Sequence, residues 1–516
     1  MNLRKFAFSR LLVAALAIGC AVPAWSQTLV YGRGNDSDTL DPAMAANGED
    51  IKLADWLYDG LVRFDGPTTK VVPALAESWE ISQDGLSWTF KLRKDVKFHD
   101  GTPFTADAVK QSFERQFIPN HPYKTTRFLR WKSKFGAMTG VDVIDDHTVK
   151  LNFSIPQPAL LYNLAVYTGY IVDPAPLAAG GPEALSEKPV GTGPFKFSRW
   201  VKKDLIELVR NDDYWGEVPK IEKLVVRVIP ENDVRLLALQ KGEIQLTDDV
   251  PFNRIADLDA TDEVDVETVG AVAFSGFNLN AESPKLKDVR VRKAIQMAIN
   301  RERLYNIMFF KLGEFDQQLM PSGQIGRSDK ATVYPYDPEA AKKLLAEAGV
   351  SGRLQIDLIA FNNPRPYFPS PSDGVAVVKA DLARIGIDAN IVLTTWADWL
   401  ERRRTGAFDM TVGGWFASTV DPEGMLYPLY HSQFIGGDNS SRLANPEVDA
   451  LIDQARATYD NDKRQQIYAK AMDIISEEAV TVFLAHPVYS LGKRAEVKGV
   501  FRNPANQVYL NAATLK

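Results

Sequence analysis

The stretch that most constrains the fold is residues 354–414, where the hydrophobic pattern alternates between the period of a strand and that of a helix. Apolar residues at every second position indicate a half-buried strand, whereas apolar residues three or four apart indicate a helix with one buried face. The predicted elements are a strand at 354–360, a helix at 375–385, a strand at 387–395, a helix at 398–404 and a strand at 408–412. Strands joined through helices run parallel, so this stretch predicts an α/β fold.

The loops after these three strands carry residues suited to binding a ligand. Parallel strands place the loops that follow them at one edge of the sheet, and this carboxyl edge is where open α/β sheets bind ligands. The loops contribute Arg365 and Tyr367, then Trp396, then Gly414 and Trp415. Two interpretations remain open on these residues alone. Either a guanidinium, two indoles and a glycine-rich backbone converge on a ligand, or the arginine is a surface residue and the tryptophans belong to the core.

The third loop, residues 413–424, has the composition of a pocket rim. Its two glycines let the backbone approach another group closely, and the aromatic pair after them supplies a flat apolar wall. Asp421 then begins a four-residue segment with proline second and glycine fourth, which predicts a type I turn.

Residues 1–26 predict a signal peptide. Three basic residues precede an apolar run at 11–22, which is too short to cross a hydrocarbon core of ~30 Å. Small residues allow cleavage after Ala24 or after Ser26. Cys20 lies in a weak lipoprotein box, so lipid anchoring at that residue is the alternative. We therefore expect an exported protein.

The composition of the mature chain limits the classes of protein to consider. Cys20 is the only cysteine, so no disulfide forms after cleavage, and stability depends on the core of about 490 residues in two or three domains. Removing the leader lowers Lys+Arg from 60 to 57 against 66 acidic residues, which changes the net charge from −6 to −9. This acidic balance argues against a nucleic-acid partner.

A series of motifs along the chain resembles one family. The first group lies at 73–79, 83–85, 87–93 and 96–109, and the others follow at 189–195, 211–215, 239–244, 288–295, 298–301, 336–339 and 445–449. In sequence, order and spacing these motifs resemble those of the family 5 extracellular solute-binding proteins, which are the peptide, dipeptide and nickel receptors of ABC importers.

The resemblance implies a type II periplasmic binding protein, a two-lobed α/β Venus flytrap with an inserted subdomain. Lobe I would comprise 27–63, 190–283 and 492–516, with the inserted subdomain at 64–189, and lobe II would comprise 284–491. It further implies a monomeric periplasmic receptor that closes over a small-molecule or peptide ligand and delivers it to the permease subunits of an importer. We expect no cofactor and no nucleic-acid partner.

The resemblance also assigns roles within the cleft. Dipeptide receptors hold the ligand's carboxylate with an Arg-Pro-Tyr motif, which corresponds here to Arg365 and Tyr367. Those receptors pair the ligand's ammonium with an aspartate three residues after the tryptophan of the Gly-Trp pair, but this chain has Ser418 there. Asp421 is the alternative partner, unless it only holds its turn. The sequence around Trp415 also resembles that of glutathione receptors. The expected ligand is therefore a dipeptide, a short oligopeptide, a glutathione-like peptide, or a non-peptide carboxylate such as an opine, a sugar acid or a metal chelate.

An enzyme is not expected from this sequence. The chain has no Gly-x-Ser-x-Gly nucleophile elbow and no His-Glu-x-x-His pair, and the mature part has no cysteine. The five histidines are too dispersed along the chain to predict a metal site, and His99 is interpreted as a scaffold or surface residue.

Overall fold

The computed structural model describes residues 28–127, 131–417 and 419–516. The predicted signal peptide and Ser418 lie outside these residues. The described chain forms two large mixed sheets, a four-stranded sheet and three two-stranded ribbons, with helices packed around them. This is the α/β architecture that the sequence predicts.

The first large sheet has seven strands. In spatial order they are Val264–Gly270, Val488–Arg494, Leu246–Asp248, Thr28–Arg33, Lys223–Val228, Leu205–Arg210 and Phe195–Val201. The central strand, Thr28–Arg33, runs parallel to both of its neighbours, while the outer pairs are antiparallel. The carboxyl ends of the three parallel strands therefore share one edge.

The second large sheet has six strands. In spatial order they are Glu314–Phe315, Thr481–His486, Ala273–Leu279, Met410–Phe416, Leu354–Phe361 and Ile387–Thr394. Leu354–Phe361 is parallel to Ile387–Thr394 over its full length, from the pair Leu354 and Ile387 to the pair Phe361 and Thr394, and it is also parallel to Met410–Phe416. The predicted strand-helix-strand units and their common edge are confirmed.

The third of these strands is longer than predicted. The sequence pattern ended it at Val412 and treated the following glycines as loop, but the strand continues to Phe416. Its antiparallel partner Ala273–Leu279 pairs with it along the whole length, so the two glycines are held within the ladder. Glycine is compatible with a strand interior where another group approaches the backbone closely, which is the case here.

The four-stranded sheet and the ribbons complete the β-structure. The sheet consists of Ala76–Ile81, Ser87–Leu92, Thr148–Phe153 and Met138–Asp145. The ribbons pair Val62–Phe64 with Val71–Pro73, Val497–Lys498 with Thr514–Leu515, and Phe501–Arg502 with Val508–Tyr509.

Several helices begin after a residue whose side chain caps them, while the predicted helices at 375–385 and 398–404 start earlier than the sequence pattern indicated, at Pro371 and Trp396. Pro338–Glu347, for example, has the predicted cap, because the carboxylate of Asp337 accepts from the backbone N–H of Ala340 and proline occupies the first position. The α-helices are Gly48–Leu57, Ala106–Phe117, Trp131–Phe135, Leu160–Leu164, Pro174–Gly180, Asn232–Gln240, Phe252–Asp259, Val289–Ala298, Arg301–Phe309, Pro338–Glu347, Pro371–Arg384, Trp396–Thr405, Glu423–Tyr430, Pro446–Arg456 and Asn461–Glu477. Short 3-10 helices occur at Pro42–Met44, Tyr167–Gly169, Ala184–Ser186 and Ser432–Phe434.

Within the residues that the structure describes, the chain crosses between the two large sheets twice. It passes from Val264–Gly270 of the first sheet to Ala273–Leu279 of the second, and it returns from Thr481–His486 to Val488–Arg494. These crossings precede the predicted lobe boundaries at 283/284 and 491/492. The division into lobes stays a prediction, with the sheet crossings as its physical landmarks.

Separate hydrophobic cores accompany the two sheets. One cluster joins the first sheet to the four-stranded sheet, and two others cover the two faces of the second sheet, with Phe277 in one and Phe274 in the other. None of the helices within the described ranges combines the length and the apolarity that crossing a bilayer requires.

Candidate functional site

Arg365 lies on a tight turn after the strand Leu354–Phe361. The backbone N–H of Arg365 donates to the carbonyl of Phe368 at 3.1 Å, and the N–H of Phe368 donates back to the carbonyl of Arg365 at 2.8 Å. Phe368 is fully buried and contacts Phe277 edge-on, with ring centroids 5.3 Å apart. The turn is therefore fixed to the core, and it presents a half-buried arginine at the carboxyl edge of the second sheet.

The guanidinium of Arg365 stacks on Trp396. Its Cζ atom lies 3.9 Å from the centroid of the indole ring, a cation–π geometry. The Nε atom is buried and has no hydrogen-bond partner. Within the described ranges, no carboxylate lies within 4 Å of this guanidinium. A planar cation that is held in place without an acid partner is suited to receive a carboxylate.

Tyr367 packs against the backbone of Gly414. A Cβ atom placed on Gly414 would lie 2.1 Å from the Tyr367 ring, so only glycine leaves room for this contact. The ring also contacts Phe361 and Phe416 edge-on. Burial raises the pKa of Tyr367 to about 12, although the nearby guanidinium groups of Arg365 and Arg403 act in the opposite direction. The phenol is therefore a neutral hydrogen-bonding group at neutral pH.

Trp396 begins the helix Trp396–Thr405. Thr395 caps that helix through its side-chain oxygen, which accepts from the N–H of Asp398. The indole of Trp396 stacks on that of Trp399, with centroids 4.7 Å apart and planes inclined by 26°. The structure thus brings together Arg365, Tyr367, Trp396 and Gly414.

Trp415 has a different environment from the other predicted residues. Consecutive residues of a strand point to opposite faces, and Trp415 packs with the cluster that contains Phe274, Met425 and Leu426. Its indole Nε1 donates to the carbonyl of Gly424 at 3.1 Å. The indoles of Trp396 and Trp415 therefore do not converge as predicted, because Trp415 projects from the face of the sheet opposite to Gly414.

Asp421 is engaged by Arg464. The two guanidinium nitrogens donate to the two carboxylate oxygens at 2.7 and 2.8 Å, and both side chains are 2 % exposed. Burial alone would lower the pKa of Arg464, but the Asp421 carboxylate raises it above its ordinary value. The carboxylate also accepts from the N–H of Glu423, and the carbonyl of Asp421 accepts from Gly424. These contacts correspond to the turn-holding alternative, while Ser418 lies outside the described residues.

Phe416 connects the candidate site to the first sheet, a contact that sequence reasoning missed. Its ring stacks on that of Tyr489 with centroids 4.8 Å apart, and the Arg502 guanidinium lies 4.3 Å from the centroid of the Tyr489 ring. Tyr489 belongs to Val488–Arg494, so the aromatic wall of the second sheet abuts the first sheet where the chain crosses between them. The aromatic pair at 415–416 indicated an apolar wall, but nothing in the sequence indicated that Phe416 packs against Tyr489.

An ionic cluster lies at the carboxyl edge of the first sheet. Lys52 contacts Asp248 and lies 3.3 Å from Glu49, while Arg502 donates to Asp249 at 3.1 Å. Burial would raise the pKa of Asp248, yet the two cations Lys52 and Arg502 lower it to about 2. Burial raises the pKa of Glu49. The ion pairs of Lys52 with Asp248 and of Arg502 with Asp249 join residues 196 and 253 positions apart in sequence, so no local motif indicated the cluster.

Two histidine environments bear on the sequence expectations. The Nε2 atom of His99 lies 3.0 Å from the carbonyl of Gly193, and its Nδ1 accepts from Gly191, so His99 has the scaffold role predicted for it. The potential ligand atoms of Glu314, Asp316 and His486 lie within 4.8 Å of one another. Asp316 is already paired with Arg327 and hydrogen-bonded to His486, and Glu314 accepts from the hydroxyl of Ser322, so these side chains have partners within the protein.

The two mixed sheets, joined by two crossings, with a candidate anion-binding group at a carboxyl edge, define the type II periplasmic binding protein fold. Comparison with known proteins then gives the family. The chain belongs to the bacterial extracellular solute-binding proteins of family 5. The model of this family, described as "Bacterial extracellular solute-binding proteins, family 5 Middle", matches residues 70–437.

Similar proteins cover nearly the whole chain. The dipeptide-binding protein of Escherichia coli is 31% identical over 538 residues, covering 100% of both chains. Heme-binding protein A of Haemophilus influenzae is 33% identical and covers 93% of this chain and 90% of its own. Among solved structures, the dipeptide binding protein of Pseudoalteromonas sp. SM9913 in complex with Met-Leu has a TM-score of 0.84 at 28% identity, covering 95% of this chain and 100% of that chain.

Proposed function

We propose that this protein is the receptor of an ABC importer for a di- or short oligopeptide, including glutathione-like peptides. The observation that carries the proposal is the guanidinium of Arg365, which lies on the indole of Trp396 and has no carboxylate of the described residues within 4 Å. In a site closed off from water a ligand carboxylate needs a paired cation, and an arginine fork supplies two parallel donors. The relatives named for dipeptides support the same ligand class.

Seven residues form the proposed ligand site. Arg365 takes the carboxylate, Trp396 and Tyr367 wall it, and Gly414 leaves the room that the Tyr367 ring needs. The proposed set also includes Ser418, at the sequence position of the ammonium-binding aspartate of dipeptide receptors, and Trp415 and Asp421, which support the loop through Gly424 and Arg464 rather than through contact with the ligand. Closure of two lobes around this site removes the ligand from water and involves no covalent chemistry.

The proposal includes location and partners. The receptor acts as a monomer in the periplasm after cleavage of the signal peptide, and it delivers its ligand to permease subunits in the inner membrane. The charge and hydrophobic pattern of residues 1–26 support export, and the family is extracellular.

A thermal denaturation series tests the ligand class. A ligand present at 100 times its Kd stabilises a protein that binds it only when folded by about 2.7 kcal/mol. For a chain of this length that corresponds to a rise in Tm of about 2 to 3 °C, because the unfolding entropy scales with residue number. Dipeptides, tripeptides, glutathione and opine-like acids are compared at equal concentration. No rise with any peptide overturns the peptide proposal.

A non-peptide carboxylate is the second candidate. The ammonium partner of dipeptide receptors is absent from the sequence at Ser418, and the nearest alternative, Asp421, is paired with Arg464. A relative is also named for heme rather than for a peptide. A rise in Tm with opine-like acids or chelates alone would favour this candidate.

A further inference from the structure

Four side chains form one continuous stack behind the proposed carboxylate site. The Arg365 guanidinium lies 3.9 Å from the centroid of Trp396, the Trp396 and Trp399 centroids are 4.7 Å apart, and the Arg403 guanidinium lies 4.4 Å from the centroid of Trp399. The order is thus cation, indole, indole, cation. Planar groups at these separations are in van der Waals contact, so the orientation of each member limits that of the next.

The inner half of the stack is anchored in the core. Trp399 is 4% exposed, and its Nε1 donates to the hydroxyl of Thr411 at 2.9 Å. Arg403 is 8% exposed, and its Nε donates to the hydroxyl of Ser440 at 2.7 Å. A second nitrogen of Arg403 donates to the carbonyls of residues 437 and 438, both at 3.2 Å. Two independent segments therefore hold this end in one orientation.

The outer half has no comparable anchor. Trp396 and Arg365 are half-buried, and Arg365 Nε has no hydrogen-bond partner. In the part of the chain that the structure describes, no carboxylate lies within 4 Å of Arg365 or of Arg403. The orientation of the Arg365 fork consequently depends on the indole of Trp396, which is held by stacking on Trp399 and by an edge-on contact with Phe361, with ring centroids 5.5 Å apart.

The two cations of the stack also favour binding of an anion at Arg365. Both guanidinium groups influence Tyr367, since each opposes the rise in the pKa of that phenol. An anion placed against Arg365 would meet a positive potential from two cations. No carboxylate of the described residues lies within 4 Å of either, although the more distant Asp438 carboxylate offsets part of the charge of Arg403. Within a buried site such charges are weakly screened.

We propose that Trp399 and Arg403 are positioning residues for carboxylate recognition. They hold the indole of Trp396, and through it the Arg365 fork, in the orientation that receives a ligand carboxylate. Neither residue needs to contact the ligand. This proposal rests on the function proposed above, and it adds the residues that make Arg365 selective for an acid over a neutral group.

The same helix supplies a matched control. Arg402 and Arg404 flank Arg403, but they face the surface and pair with Asp398 and Glu401. Replacing Arg404 with Met removes the same charge from the same helix without touching the stack.

The experiment measures binding by isothermal titration calorimetry for two acid and amide pairs: Met-Leu with Met-Leu-amide, and trialanine with its C-terminal amide. The wild type should prefer at least one acid by about tenfold or more, as expected for a buried charge-assisted pair. R403M and W399L should reduce this preference severalfold while the affinity for the amide changes little. R404M should keep the full preference. R403K, which keeps the charge but loses the planar stack, should lie between R403M and the wild type.

The outcomes separate the two proposals. If R365A removes the preference while R403M and W399L both keep the wild-type ratio, the positioning role is overturned and the proposed function stands. If the wild type binds acid and amide equally, or binds none of these peptides and shows no rise in Tm with any peptide of the thermal series, the proposed function fails and the positioning role with it. If only another peptide of that series raises Tm, that peptide and its C-terminal amide replace the two pairs. If R403M or W399L does not fold, R403K and W399F test the positioning role instead. An unchanged ratio of acid to amide affinity in both of these variants would overturn that role.

Discussion

Gly414 and the ring of Tyr367 are in such close contact that a Cβ atom on Gly414 would lie 2.1 Å from the Tyr367 ring. Real side chains do not tolerate that separation, and Tyr367 is confined by Phe361 and Phe416. The glycine is thus required by a neighbour 47 residues away in sequence, and the contact places the ring that forms a wall of the proposed site.

Gly414→Ala should displace Tyr367. Overpacking of this kind costs about 1 to 3 kcal/mol in the free energy of unfolding. Ligand affinity should fall in parallel, because the tyrosine is a wall of the site. Urea denaturation and calorimetric binding measure the two effects. The control is Gly140→Ala, since Gly140 also lies in a strand and a Cβ there meets nothing within 4 Å. Equal behaviour of the two variants would contradict the packing argument.

Arg365→Ala should weaken binding of a carboxylate ligand by about 2 to 5 kcal/mol if the pair is buried. The free energy of unfolding should change little, because within the described ranges this side chain has no acid partner to lose. Arg353→Ala is the control: Arg353 is an exposed arginine of the same region, paired with Asp388. Unchanged affinity in the Arg365 variant would return that residue to an ordinary surface role.

Asp421→Asn should destabilise the fold without a specific effect on ligand affinity. Removing one member of a buried ion pair leaves the other charge unpaired and costs about 3 to 5 kcal/mol. The exposed pair of Arg127 and Glu183 gives the comparison, and Glu183→Gln should cost under about 1 kcal/mol. Stability comes from urea denaturation, and affinity from titration of the folded fraction. A variant with wild-type stability and lost affinity would instead identify Asp421 as a ligand-binding residue.

Tyr459→Phe should loosen a contact between the second sheet's helices and the four-stranded sheet. The Tyr459 hydroxyl donates to the carbonyl of Gly85 at 2.9 Å, and it accepts from Trp88 Nε1 and from the N–H of Gln157. Losing these bonds should lower the free energy of unfolding by about 1 to 3 kcal/mol, since it leaves the partners less satisfied. Tyr336→Phe, which removes an exposed hydroxyl bonded to Arg384, is the control. No difference between the two in urea would argue against the contact.

The stability of the protein should fall between about pH 6.5 and pH 4 partly through His99. Burial lowers the pKa of His99 to about 4, below the value near 6.5 of an exposed histidine. The native state therefore binds fewer protons than the unfolded state in this window, so the His99 contribution is present above pH 6.5 and is lost as pH falls towards 4. The loss is about 3 kcal/mol at most.

Urea denaturation of the wild type and of His99→Gln across that range measures this effect. The difference in stability between the two proteins should shrink as pH falls. A constant difference from pH 7 to pH 4 would show that His99 is not the titrating group.

The sequence by itself determined the parallel strand-helix units, their common edge, the presence of Arg365, Tyr367, Trp396 and Gly414 there, and the family. Hydrophobic period, caps and short motifs are local properties, so residues 354–414 could be interpreted without knowledge of the rest of the chain. The cap at Asp337 and the scaffold role of His99 followed from the same kind of reasoning.

Only the tertiary structure decided which charges are free and which face each aromatic ring takes. Asp421 is neutralised by Arg464, Trp415 projects from the face opposite to Gly414, and Arg403 supports Arg365 through two indoles. The pattern of one strand does not reveal how far its partner extends the ladder, nor which distant cation reaches a given carboxylate. Such pairings depend on contacts between segments far apart in the chain, and these form only when the sheets and helices pack.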